Sequence, residues 1–408
     1  MKKVAIFTDF INFDEAYSLC RVVKNQVKML VENGYKPMLL VRKGFNHSQF
    51  FPGADIKILD HGETGSNTVK ITGQSEGDIQ GLVEQIEKCL SDVDVILTHD
   101  LIYQANMWKA QVAARRFASK NPDKKWLHWV HSATGHNVAR QVGKFRNELK
   151  GKFPNSLLVA MHPEEINRKG GMYGYEQDEI VIIPNSLDLT EYYHPMAAKI
   201  IEKADLVNQD IIAVYPARLD RGKQPHIICE IFKELAGMGY RAKVIIVDFH
   251  SVSGDKEKYR KEIKKEFGDV VFFSSDIEKY CIPHQAVMNL FEYADILIHP
   301  SRSESDPLIL PEAAWQRCGL VLNFDLPLFR QYDGQALLYK FSSNIDTVTG
   351  QSGETNTEYA DRADYMRHVA AGVAYQMENN AQLKNHARMR HERSLEAVWK
   401  KLWGAIER

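Results

Sequence analysis

The sequence predicts an α/β protein made of two parallel-sheet domains. Three observations predict it: short apolar runs alternate with amphipathic stretches along the whole chain, 408 residues suffice for two cores, and a Pro-Asn turn near the middle separates one series of runs from the next. In the first half the strand candidates are 3–7, 37–41, 93–98, 127–130 and 156–160, short and apolar as strands covered on both faces must be. Between the first two, Val22 to Gly34 is apolar on one side and closed by glycine, which predicts a helix with a glycine stop. The second half repeats the scheme with candidates at 211–215, 242–247, 270–273, 295–299 and 319–323. Residues 342–358, rich in Ser, Thr, Gly and Asn, predict a surface loop, and the stretch holding Trp399 and Trp403 predicts a closing helix. The expected domains are residues 1–190 and 191–385, with 386–408 as that helix.

Composition narrows the class. A formal net charge of −1 gives no overall pull toward nucleic acid or an anionic membrane. Five cysteines, Cys20, Cys89, Cys229, Cys281 and Cys318, are odd in number and lack metal-ligand spacing, so they read as reduced thiols. The opening apolar stretch is interrupted by Asp9, too early for a signal peptide, and no run approaches the ~18 apolar residues of a membrane span. The expected setting is the cytoplasm, with a peripheral place at a membrane surface as an option. No G-x-S-x-G, H-E-x-x-H or G-x-G-x-x-G stands in the chain, against hydrolase, zincin and ordinary dinucleotide readings.

The most informative segment runs from Pro300 through Glu304, Asp306, Pro307 and Pro311 to Glu312, directly after the apolar run that ends at His299. Glu304 sits on the exit loop of a strand and Glu312 in the first turn of the helix that follows. Prolines at 307 and 311 offer that helix a start, and if it begins at Pro307 its first turns must be distorted. The N–H groups of Leu308 and Ile309, at the positive end of the helix, suit a phosphate or a sugar oxygen. A carboxylate accepts two donors at once and so suits a diol. Spaced glutamates are common in helices, and the plain alternative is a dipole-complementing Glu312 and a solvated Glu304.

Two further segments add to it: Ile211 to Lys223, a strand ending in a loop with Arg218 and Lys223 five apart, and Ile180 to Asp188, containing Pro184-Asn185. Together the three resemble the retaining glycosyltransferases of family 4, whose fold, GT-B, has two Rossmann-like domains facing a central cleft and a C-terminal helix crossing back to the first. The resemblance covers the whole chain in layout and its C-terminal half in motif. It implies transfer of a hexosyl or pentosyl group from a nucleoside-diphosphate sugar to an acceptor hydroxyl, with retention and without a metal or other cofactor. It implies that Arg218 and Lys223 neutralise the donor diphosphate, Glu304 contacts the donor sugar, and Glu312 holds the ribose. His131 matches a histidine that touches the donor sugar, against the alternative of a packing residue; His99-Asp100 is a second candidate, and His128 alternates to the other face. Asp92-x-Asp94 imitates a metal-binding pair, but it precedes a strand, so a solvated start of that strand is expected.

Departures from the family pattern mark where this chain is its own. No glycine-rich loop follows the first strand, which brings Phe10, Phe13 and Tyr17 forward as acceptor contacts. Asp306-Pro307 replaces Phe-Gly, so one N–H is lost and the Asp306 side chain is expected to substitute for it. Ser186 replaces a glycine, and Asp248-Phe-His250 replaces Gly-x-Gly. Residues 109–152 carry eleven Lys or Arg against Asp123 and Glu148, either a solvated helix face or an anion-binding surface. The acceptor therefore stays open between a glycan or lipid-linked glycan, with Phe145, Leu149 and Phe153 beside the lysines for an anionic lipid surface, and DNA with modified bases. A sugar-nucleotide epimerase and a non-catalytic sugar-binding protein are the readings outside transfer.

Overall fold

The computed structural model describes residues 2–60, 74–131, 142–249, 255–279, 281–341 and 361–408. The expected loop at 342–358 and His250 lie outside the described residues. The chain forms two compact units, the first from Met1–Asp188 with Glu392–Arg408 and the second from Leu189–His391.

The first unit holds seven parallel strands, β1 Val4–Phe7, β2 Met38–Arg42, β3 Asp55–Leu59, β4 Val95–His99, β5 Lys125–Trp129, β6 Ser156–Ala160 and β7 Ile180–Ile182, ordered β3-β2-β1-β4-β5-β6-β7. The second holds six, β8 Ile211–Arg218, β9 Ala242–Phe249, β10 Val271–Phe273, β11 Ile296–His299, β12 Gly319–Asn323 and β13 Leu337–Tyr339, ordered β10-β9-β8-β11-β12-β13. Both are doubly wound: strand order reverses between β1 and β4 in one sheet and between β8 and β11 in the other. Ligands of such sheets bind outside the carboxyl ends of the strands at that reversal. All ten predicted strands are present. Three more, β3, β7 and β13, escaped prediction because they lie at sheet edges; β3 is half solvated, and the other two span three residues each.

Sequence chemistry accounts for the central elements. Residues of β1 and β4 are buried on both faces, hence the unbroken Val-Ala-Ile-Phe and Val-Ile-Leu runs. The helix α1 covers Ser18–Glu32 and ends as its glycine predicts: Gly34 takes a φ of 83°, its N–H bonds the Val31 carbonyl at 3.0 Å, and Tyr35 N–H bonds that of Leu30 at 2.9 Å. This is a Schellman closure, which costs least at glycine. The returning helix Leu395–Glu407 belongs to the first unit, where Val398, Leu402, Ala405 and Ile406 join the core beside α1 and the Trp399 ring meets Tyr35 at 5.7 Å.

In the second unit a fully buried ion pair fixes the start of β11. Arg390 donates to Asp295 Oδ1 at 2.8 Å and Oδ2 at 2.7 Å, and Asp295 also accepts the Ile212 N–H at 2.9 Å. Burial alone would raise the Asp295 carboxyl, but Arg390 and His386 hold it below its ordinary value. Removing one member of such a pair strands the other's charge in the core.

Candidate functional site

The second unit gathers its chemistry at the β8/β11 reversal. β8 ends at Arg218 and leads into a short 3-10 turn, Arg221–Lys223; β11 ends at His299 and leads into the loop carrying Glu304. The two loops are knitted together. Arg302 N–H donates to the Gly222 carbonyl at 3.0 Å, Gln224 Nε2 donates to the carbonyls of Pro300 and Phe341, each at 2.7 Å, and Arg302 Nε donates to Gln224 Oε1 at 2.8 Å. Gln224 is buried and left-handed, φ 52°, a conformation disfavoured for a side-chain-bearing residue, so these bonds are what hold it there.

On this frame Lys223 Nζ meets Glu304 Oε1 at 2.6 Å, and His299 Nε2 meets the same oxygen at 3.0 Å. The Glu304 side chain is 11% exposed. Burial alone would raise its pKa, but the hydrogen bonds of His299, Lys223 and Ser301 hold it down to about 2, so it is a carboxylate throughout the physiological range. His299 packs between the rings of Tyr215 at 5.6 Å and Phe329 at 5.5 Å, and the Tyr215 hydroxyl donates to the Lys223 carbonyl at 2.9 Å. The arrangement presents a fixed carboxylate beside an ammonium that keeps further donors, a pairing that can address a hydroxyl and an anion together.

The other expected residues of this unit stand apart from that pair. Arg218 is 48% exposed and leans on Asp220 at 3.4 Å. Glu312 lies in the helix Ile309–Trp315, with His284 Nε2 at 2.9 Å from its carboxylate. That helix starts after Pro307: Leu310 N–H reaches Pro307 three residues back, at 3.1 Å, Pro311 has no N–H to give, and Glu312 N–H opens the regular four-residue pattern by reaching Leu308 at 3.1 Å. Leu308 is 70% exposed and Asp306 is exposed, both open to a ligand, while Ile309 is half-buried. Asp248, expected to replace a nucleotide-facing glycine, is fully buried: its Oδ1 accepts the Ser275 N–H at 3.0 Å, and Lys256 lies 3.4 Å from its other oxygen.

The first unit gathers different groups at the β1/β4 reversal. His99 ends β4 and His131 follows β5; their rings stack at 5.2 Å, and His99 Nδ1 lies 2.9 Å from His131 Nε2. The His131 N–H donates to Asp100 Oδ1 at 3.2 Å. Burial pushes His99 well below the ordinary histidine value, with His131 adding to it, and burial lowers His131 against the pull of Asp100. Asp9, just past β1, pairs with Arg42 at 3.3 Å and accepts from Asn106 at 2.6 Å. His128 is core, its Nδ1 2.7 Å from Thr98 Oγ1. Asp92 bonds the Lys3 ammonium at 2.6 Å, and Asp94 accepts the Lys3 N–H at 2.6 Å, a pairing at the foot of the sheet, away from the strands' carboxyl ends.

Two expectations shift once the side chains are placed. Phe10 and Phe13 are buried, with Phe13 stacked on Phe50 at 4.2 Å and Phe10 beside Phe51 at 6.4 Å, so of the three aromatic residues named for the acceptor only Tyr17, 48% exposed, reaches solvent. Part of the basic stretch is structural, while Lys120, Lys144, Arg146 and Lys150 are exposed. Arg115 is buried and donates to the carbonyls of Gly151 and Lys152, Lys124 donates to those of Ser91 and Val93, Arg116 grips Glu148 and Glu76, Lys109 pairs with Asp78, and Lys152 pairs with Glu179. Phe145, Leu149 and Phe153 are buried too, so they do not form an exposed apolar face; Arg140 lies outside the described residues.

Sequence reasoning missed His299, Gln224, Arg302, His284 and Gln26. His299 had a signal, a polar residue closing an apolar strand five positions before Glu304. The others act through contacts between distant segments, which no local pattern encodes.

Comparison with known proteins bears on the second unit. Residues 197–322 match the family described as "Glycosyl transferases group 1". No curated protein matches the chain. Among solved structures, HepE of Anabaena in complex with UDP is 14% identical over 99% of both chains at a TM-score of 0.37. A glycosyltransferase of Rickettsia africae is 14% identical over 100% of this chain and 98% of its own at 0.38. Sucrose-phosphate synthase of Thermosynechococcus elongatus is 15% identical over 100% and 98% at 0.37. Among the described residues no helix is long and apolar enough to cross a membrane. The segment that carries Lys223, His299, Glu304 and Glu312 therefore matches a group 1 glycosyl transferase domain, which supports a transferase.

Proposed function

We propose that the protein transfers a sugar from a nucleoside-diphosphate donor to an acceptor hydroxyl, with retention of configuration and without a metal ion. The observation that carries this reading is the Lys223–Glu304–His299 cluster at the β8/β11 reversal, within the segment that matches the family. Lys223, assisted by the exposed Arg218, meets the diphosphate, whose negative charge grows as the glycosidic bond breaks. Glu304, held ionised, accepts hydroxyl protons of the donor sugar; Glu312 accepts those of the ribose; and the backbone about Leu308 and Ile309, with the side chain of Asp306, completes the donor contacts. His131 is the sugar contact that the family resemblance implies. In the absence of a carboxylate assigned as nucleophile, the acceptor attacks from the face the diphosphate leaves, and a donor phosphate oxygen takes its proton.

The acceptor in this reading is a glycan or lipid-linked glycan, approached through Tyr17. The internal bonding of Arg115, Lys124 and Arg116 thins the basic surface on which the DNA alternative rests. A thermal-shift and hydrolysis screen across UDP-, GDP- and ADP-sugars tests the donor half directly. At least one sugar should stabilise the wild-type protein, and Lys223→Ala should lose both that stabilisation and turnover with its fold intact. Undiminished turnover in that variant would sink the assignment.

A further inference from the structure

Gln26 on α1, His99 and His131 form a hydrogen-bonded row inside the first unit: Gln26 Oε1 lies 2.8 Å from His99 Nε2, and His99 Nδ1 lies 2.9 Å from His131 Nε2. Gln26 and His99 are 4% and 1% exposed, so water does not complete their bonding. The Trp129 ring, 5.5 Å from His99, and the stacking of the two imidazoles with planes 16° apart hold both rings in place.

Such a row has a direction. An amide oxygen only accepts, so the proton in the first contact belongs to His99 Nε2. Both rings are neutral at neutral pH, since burial lowers both. A neutral imidazole carries a single N–H, which leaves His99 Nδ1 a bare acceptor. The proton in the second contact must then sit on His131 Nε2. That is the only proton His131 has, and its Nδ1 is left with a lone pair. Among the described residues that nitrogen has no hydrogen-bond partner.

We propose that Gln26 and His99 are positioning residues that fix His131 in the tautomer with a bare Nδ1, so that His131 offers the bound sugar an acceptor and never a donor. The sugar contact rests on the function proposed above; the tautomer does not. A group that only accepts recognises a hydroxyl as a donor, and a donor sugar with fluorine or hydrogen there should be used about three- to tenfold less well, one ordinary hydrogen bond's worth.

Nitrogen-15 NMR of histidine-labelled protein reads the tautomer, with His131→Gln serving to assign the His131 signals. Wild type should show His131 protonated at Nε2 and bare at Nδ1. In Gln26→Glu the new carboxylate favours a doubly protonated His99, whose Nδ1–H then donates into His131 Nε2 and moves the His131 proton to Nδ1, inverting the pattern. A second pair of variants decides the matter should Gln26→Glu fail to fold. His99→Asn places an amide oxygen near the position of Nδ1 and should keep the wild-type His131 pattern, whereas His99→Leu should abolish the preference for one tautomer. A wild-type His131 protonated at Nδ1, or a His131 pattern alike in folded Gln26→Glu or His99→Leu and in wild type, would overturn the proposal. Turnover of Lys223→Ala tests the transferase reading separately, so either can fail without the other.

Discussion

The two units solve the same topological problem with opposite chemistry. Each is a doubly wound sheet whose polar groups collect where strand order reverses, but the second unit centres its group on a lysine–glutamate pair, whereas the first sets two neutral imidazoles beside its Asp9–Arg42 pair. At the β8/β11 reversal an ammonium and a carboxylate lie 2.6 Å apart, and deeper in the same unit Arg390 and Asp295 are paired in full burial. At the β1/β4 reversal two uncharged histidines stack. Charge suits a ligand that is itself charged, a diphosphate; neutral acceptors suit hydroxyls. The contrast teaches that one topology can present different chemistry at the same place in the sheet.

The sharpest way to break the comparison is through the buried charge of the second unit. Arg390→Met leaves Asp295 uncompensated and should cost about 3–5 kcal/mol in urea unfolding; a cost below ~1 kcal/mol would mean that the unit does not depend on that pair. Glu304→Gln should lower turnover about a hundredfold or more, by weakening the site proposed to address the sugar. The same variant carries a pH signature. Glu304 is depressed from 4.5 to about 2, so the ionised form contributes stability in full above about 4.5 and loses it as pH falls toward about 2. The melting-temperature gap between wild type and Glu304→Gln should be present at pH 6 and close over that window; a gap independent of pH would contradict the ion pair. In the first unit His131→Ala should reduce turnover less, about tenfold, because it removes a neutral contact; a loss equal to that of Glu304→Gln would erase the distinction between the units. The smallest effect on stability belongs to Gln224→Gly. It relieves about 1 kcal/mol of left-handed strain and forfeits three bonds of about 1 kcal/mol each, two to buried carbonyls and one from Arg302, for a net loss of about 2 kcal/mol in thermal unfolding.

The same contrast explains what could be read from the residues. The β8 and β11 strands, the cationic loop between Arg218 and Lys223 and the glutamate loop are each contiguous, so their motifs and the family these resemble exposed them together, while the helix starts at Ile309, two residues past the start that Pro307 offers. Edge strands such as β7 and β13, three residues each, were too short to leave a pattern. Gln26, His99 and His131 come from three separate segments, and only the winding of the sheet brings them into one row. The cations of residues 109–152 left a solvated face and an anion-binding surface open for the reverse reason: a tally of charge cannot show that Arg115 and Lys124 spend theirs on backbone carbonyls inside the unit. Phe10 and Phe13, read from a loop lacking glycine, were claimed by the core.

The central claim, that Lys223 and its carboxylate partner form a diphosphate site, is tested most directly by calorimetric titration of UDP, GDP and ADP into the wild-type and Lys223→Ala proteins. The account predicts binding of at least one diphosphate to wild type and a tenfold or greater loss in the variant, the weight of a charged hydrogen bond. Binding of equal strength in both proteins would contradict it.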